Sequence, residues 1–188
     1  MSLLPIDPRL TARERKALAF DFAPAALARE GEFEGYASVF GVADEVRDAV
    51  LPGAFRKSLR VKGTGNIKLL YQHEAREPIG VWRDIHEDSM GLHVRGRLIE
   101  GVTRAREVLA LMRAGALDGL SIGYQVVRAR RDARTGLRLL TELDLWEISV
   151  VTFPLLRQAR VTRVKRAEES DAALARALRG VAATMANK

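Results

Sequence analysis

The sequence predicts a β-dominated α+β domain of six or seven strands and two or three helices, closed or nearly so. Three observations predict it. Short runs with period-two alternation recur between turn-forming clusters, as in Glu34-Gly35-Tyr36-Ala37-Ser38-Val39-Phe40. Helical spacing is clear at Ala105, Val108, Leu109 and Met112. No internal repeat and no second domain stands out.

Taken in order, residues 1–30 are an N-terminal extension, with Pro24 inside an alanine-rich piece that reads as loop and weak helix. The fold proper starts near Glu32 with the first strand. A turn-rich patch over Gly41 to Asp48 follows, then a Pro52-Gly53 turn and a short helix over Ala54 to Arg60 packed through Phe55 and Leu59. Lys62 to Asn66 is a glycine-broken loop, and Ile67 to Gln72 is a strand that runs into His73-Glu74. Pro78 to Ile85 and Gly91 to Ile99 read as a hairpin around Glu87-Asp88-Ser89-Met90. Thr103 is positioned to cap the next helix, and Gly115 to end it. The stretch from Gly119 opens a strand-like run, Tyr124 to Ala129; Asp132 to Gly136 is a polar turn, and Leu137 to Leu145 and Trp146 to Phe153 read as two further strands stopped by Pro154. Residues 31–165 form the domain, and 166–188 are a basic, alanine-rich tail of helical spacing.

Composition sets bounds. At 188 residues and 47% apolar content, the chain builds a core of ordinary size. No apolar run of about 18 residues exists, so no helix spans a membrane. Zero cysteines exclude disulfides and thiolate metal sites and fit a reducing, cytosolic home. The net charge of +7 favours acidic partners. Its arginine-rich stretches, 128–138 and 157–166, lack interleaved aromatics and any recognition-helix signature. They read as solvated surface in preference to a nucleic-acid site.

The richest stretch chemically is Gly119-Leu120-Ser121-Ile122-Gly123-Tyr124. Leu120, Ile122, Tyr124 and Val126 share one strand face, so Ser121, Gly123 and Gln125 share the other. Glycines beside a hydroxyl permit close approach, so Ser121 reads either as a nucleophile or as a small residue in a tight strand. The literal G-x-S-x-G pattern is not a nucleophile elbow. An elbow runs strand to helix, whereas here a helix precedes a strand, and all three histidines lie upstream of the serine. Of these, His73 ends an apolar strand and suits a general base near neutral pH, while His86 and His93 read as solvated. His73-Glu74-Ala75-Arg76-Glu77 fails the HExxH pattern, which argues against a zinc site built from the histidines. Glu147 interrupts the apolar run Leu145 to Val151, and a carboxylate there needs a partner, either an arginine or an imidazole N–H. Glu142 and Asp144 lie in a more polar segment and are less informative.

These pieces in this order, Gly35 to Phe40, Pro52 to Phe55, His73, Gly119 to Tyr124, and Glu147 to Val151 with Pro154, resemble the prohead (procapsid maturation) serine proteases of tailed bacteriophages and gene transfer agents. The resemblance covers roughly residues 31–165. That family is similar in fold to the herpesvirus capsid-maturation protease, which implies a mostly antiparallel barrel of six to seven strands. It implies Ser121 as nucleophile, His73 as base and Glu147 as third member, with no metal or cofactor. The herpesvirus enzymes use a second histidine in the third place, and this chain has no later histidine. The implied function is endoproteolysis of scaffold or major capsid protein inside an immature procapsid in the bacterial cytoplasm, with self-cleavage and a homodimer in prospect. Two alternatives stay open, a catalytically silent protease-fold assembly protein and a basic nucleic-acid-binding protein.

Overall fold

The structure, a computed structural model, describes residues 31–164. The extension and tail expected at 1–30 and 166–188 lie outside the described residues. Eight strands and two helices follow in the order β1 (Glu32–Val39), β2 (Asp48–Val50), α1 (Arg56–Lys62), β3 (Lys68–Tyr71), β4 (Glu74–Glu87), β5 (Gly91–Leu98), α2 (Thr103–Arg113), β6 (Gly119–Arg131), β7 (Arg138–Val151) and β8 (Val161–Val164). The β-dominated α+β class is as expected, but a closed antiparallel barrel is not what forms. The strands make one curled, mixed sheet in the order β2-β7-β3-β4-β5-β1-β8, with β6 along the other edge of β7. Both β2 and β3 pair with β7 in parallel. Between β6 and β1 the sheet does not continue as a ladder. The segment 159–161 bridges that seam with single hydrogen bonds, from Leu120 N to Ala159 O and from Tyr36 N to Arg160 O. The strand number exceeds the expectation because β2 and β8 are short and hide in a turn-rich patch and a basic stretch.

The core lies inside the curl, where Phe33, Phe55, Leu92, Leu120, Leu140 and Ile148 are all but fully buried. Truncating one of the large aliphatics, such as Ile148 to alanine, would cost about 2–5 kcal/mol. Helix α2 contributes Ala105, Val108, Leu109 and Met112, the residues its spacing indicated. It is not capped by Thr103: that residue is the first in the helix, the N-cap is Val102, and no side chain caps it. Gly115 does take the left-handed conformation, at φ 71°.

The two strands expected over Leu137 to Phe153 are one, β7, broken in phase rather than in continuity. Across β6, Tyr124 faces Leu145 but Gly123 faces Glu147, so Trp146 is an extra residue in a bulge. Leu143 and Leu145 point into the core before the bulge, and Ile148 and Val150 after it. Strict alternation from Leu143 and Leu145 would have turned Glu147 inward as well. The bulge turns Glu147 to the face that carries Ser121.

Candidate active site

Strand β6 presents Ser121 as anticipated. Leu120, Ile122 and Tyr124 pack on the core side, and Ser121 and Gly123 occupy the opposite face. On that face the register sets Ser121 across from Ser149 and Gly123 across from Glu147. Ser121 lies within a strand that follows a helix, the reverse of an elbow.

Gly123 has a steric reason to be glycine. A Cβ there would overlap Glu147 Oε1 and lie 2.8 Å from the carboxyl carbon. The missing side chain is the space in which the carboxylate sits. Gly119 is constrained likewise, since a Cβ would lie 2.8 Å from Pro154 Cδ.

His73 does not end a strand. With Gln72 it forms a two-residue hairpin loop between β3 and β4, Tyr71 pairing with Glu74. Both loop residues have positive φ, 52° at Gln72 and 59° at His73. That is the signature of a type I′ turn, which suits β-hairpin twist and ordinarily selects Asn and Gly. Holding Gln and His there stores backbone strain, which persists only where surrounding contacts over-determine it. Those contacts are visible. Gln72 N donates to Val150 O at 3.0 Å, His73 N donates to Ser149 Oγ at 3.0 Å, and Gln72 Nε2 donates to Thr152 Oγ1 at 2.7 Å.

The imidazole and the carboxylate meet directly, with His73 Nδ1 2.6 Å from Glu147 Oε1. The Glu147 side chain is 13% exposed and that of His73 44%. Glu147 Oε2 accepts a second hydrogen bond, 2.6 Å, from the Ser149 hydroxyl. The hydrogen bond to Glu147 raises the His73 pKa above its ordinary value, against a smaller opposing effect of burial. Ser121 is 8% exposed and reaches the group by register, as the cross-strand partner of Ser149, without a hydrogen bond of its own to the ring. It borders a small cleft of about 40 Å³, walled by Val50, Leu120 and Tyr124 and by the acids Asp44 and Asp48.

The rival acids are occupied elsewhere. Asp144 pairs with Lys62 at 2.5 Å and accepts from Trp146 Nε1, and Glu142 pairs with Lys57 at 2.8 Å. His86 is half exposed, as read from the sequence. His93 is only partly solvated: its Nδ1 is buried, and burial, with His86 nearby, lowers its pKa. The participant that the sequence reading passed over is Ser149, fully buried and bonded to both Glu147 and the His73 backbone. Its signal was a lone hydroxyl in an apolar run, two residues after the acid.

With this geometry established, comparison with known proteins places the chain. The model of the Caudovirus prohead serine protease family matches residues 22–173. The chain belongs to that family. The prohead protease of Enterobacteria phage HK97 is 37% identical over 139 residues, 73% of this chain and 61% of that protein. The prohead protease of Escherichia phage T5 is 29% identical over 127 residues, 64% of this chain and 60% of that protein. The chain thus matches about three fifths of the length of each of these relatives. The capsid assembly protease of bacteriophage T4 matches with a TM-score of 0.54 at 16% identity, over 64% of this chain and 80% of that one, a likeness of fold. The chain thus pairs a half-exposed imidazole with a largely buried carboxylate on the face of a glycine-flanked serine.

Proposed function

We propose that this chain is a serine endopeptidase with Ser121 as nucleophile, His73 as general base and Glu147 as the acid that orients it. The 2.6 Å contact between His73 Nδ1 and Glu147 carries the reading. Glu147 accepts the Nδ1–H bond, which leaves the Nε2 lone pair to take the Ser121 proton as Oγ attacks the peptide carbonyl. The imidazolium then protonates the leaving amine, and a water repeats the sequence on the acyl-enzyme. Beyond the bridge at Gly119 and Leu120, β6 has no second strand neighbour among the described residues. That edge faces Ala37 and Ser38 of β1 across the small cleft, and an extended peptide that reached it at Ile122 and Tyr124 would lie alongside the nucleophile.

Membership of the prohead protease family and the names of its relatives point to scaffold or major capsid protein segments as substrates, cleaved inside the procapsid. Self-cleavage of the flanking segments belongs to the same proposal. The test is labelling with a fluorophosphonate, mapping the adduct by mass spectrometry, and co-expression with the coat or scaffold protein. The expected result is an adduct on Ser121 and loss of cleavage in Ser121→Ala with its circular dichroism unchanged. An unlabelled Ser121 together with wild-type cleavage by Ser121→Ala rejects the assignment. A chain that neither labels nor cleaves is the silent assembly protein.

A further inference from the structure

Away from the proposed triad, a second cluster of functional side chains stands on the outer face of the β4–β5 hairpin. Asp84 and His86 sit two residues apart on β4 and so share a face. His93 on β5 is the direct cross-strand partner of His86. One potential ligand atom from each of the three lies within 4.8 Å of the others. Bonds near 2 Å place tetrahedral donors roughly 3.3 Å apart, so modest side-chain rotation closes the set around one ion.

An ordinary surface ion pair accounts for only part of this. Asp84 Oδ2 lies 2.6 Å from His86 Nδ1, a sufficient partner for that ring. His93 is left over. Its Nδ1 is buried without a hydrogen-bond partner, the one such side-chain atom among the described residues. The ring is held by packing, edge to face with Tyr36 at 5.2 Å and tilted against His86 at 5.1 Å. A buried ring nitrogen without a partner is costly. A cation drawing on this cluster supplies the partner that the protein does not.

We propose that Asp84, His86 and His93 bind a divalent transition-metal ion, zinc being the natural occupant. Two imidazoles and one carboxylate are a donor set for zinc, cobalt, nickel or copper rather than for magnesium or calcium. The strand spacing gives three ligands on one open side, with water completing the shell. The ion staples β4 to β5 at the end of β4 remote from His73, and its role is structural. This departs from the sequence-based expectation of no metal, which weighed the three histidines together. The fold separates His73 from the other two and supplies Asp84 in its place.

The test is a titration of the full chain, without a polyhistidine tag, with zinc by calorimetry and with cobalt(II) by visible absorption. The expected result is one ion per chain, with affinity at least tenfold lower in His86→Gln and in His93→Gln. Zinc should raise the melting temperature of the wild type but not of His86→Gln. His73→Ala should bind as the wild type does, since the chain has three histidines and no cysteine. His86 is half exposed, so His86→Gln decides the matter even where His93→Gln fails to fold. Absence of binding at millimolar zinc, binding that survives His86→Gln, or binding that disappears in His73→Ala overturns the proposal. None of these readouts involves proteolysis, so the metal site and the protease stand or fall separately.

Discussion

The two halves of the proposed catalytic group are held in opposite ways. Ser121, Glu147 and Ser149 sit in the β6–β7 ladder, the longest pairing among the described residues, flanked by core residues such as Leu120 and Ile148. His73 sits on a two-residue turn at positive φ, nearly half exposed and dependent on its contacts. The proposed nucleophile and acid are fixed by the paired strands, the acid turned to its face by the Trp146 bulge. The base is held by strain set against hydrogen bonds, and those bonds come from the ladder. Positioning runs from the rigid half to the strained half, with Glu147 and Ser149 as the link.

The largest break in this arrangement is Glu147→Gln. Shape and most hydrogen bonding survive, but the charge that stabilises imidazolium is lost, and kcat should fall by roughly two to four orders of magnitude. The pH dependence supplies an independent measurement. Because Glu147 raises the His73 pKa, the acidic limb of the wild-type rate profile should lie above the usual histidine value of about 6.5, and the substitution should move it downward. Stability runs the other way. A group whose folded pKa is raised stabilises fully below its unfolded pKa and loses that contribution as pH rises through the folded value. His73 therefore helps the fold most where it is protonated and inactive. An unmoved acidic limb in Glu147→Gln would break the link between the two halves.

Next in size is Gly123→Ala, which leaves every proposed catalytic residue in the sequence. Its methyl group would claim the space of the Glu147 carboxylate. The rate should drop about a hundredfold, near the lower end expected for Glu147→Gln itself. A kcat close to wild type would show that the carboxylate has another way to reach the ring.

Ser149→Ala should act more gently, because it removes two hydrogen bonds while His73 and Glu147 keep each other. A bond to a charged group is worth about 1.5–3 kcal/mol, so a fall in kcat of roughly ten- to a hundredfold is expected, with KM little changed. Partial rescue by Ser149→Thr, which restores the hydroxyl, would separate positioning from packing.

The smallest change sharpens the other side of the comparison. Gln72→Asn puts a residue tolerant of left-handed backbone into the strained turn. Chemical denaturation should report a gain of about 1 kcal/mol or less, since the two exposed bonds with Thr152 are given up, and cleavage should persist. A clear loss of stability would mean that the turn is not where strain is stored.

Much of this was legible in sequence, for identifiable reasons. The faces of β6 follow from alternation at Leu120, Ile122, Tyr124 and Val126, and α2 from its helical spacing. Glu147 stood out because carboxylates are rare in apolar runs. What alternation could not supply was phase. The Trp146 bulge is one extra residue, and strict period two runs through it incorrectly. The turn at Gln72-His73 was hidden because neither residue is a usual type I′ choice. The parallel pairing of β3 with β7 escaped because register between distant strands leaves no local mark. His93 read as a surface residue because its charged neighbours concealed its burial from Tyr36 and His86.

That β3–β7 pairing has a consequence in time. His73 and Glu147 are 74 residues apart in the chain, and His73 and Ser149 are 76 apart. At synthesis rates of about 5–20 residues per second, roughly 4–15 seconds separate the emergence of the imidazole from that of its carboxylate. Closing so distant a contact is also among the slower events of folding. Ser121 likewise emerges before Glu147, so a nascent chain holds the proposed nucleophile and base without the carboxylate that would orient them. Activity that depends on this pair is silent until β7 is made and docked, a latency that chain order supplies by itself.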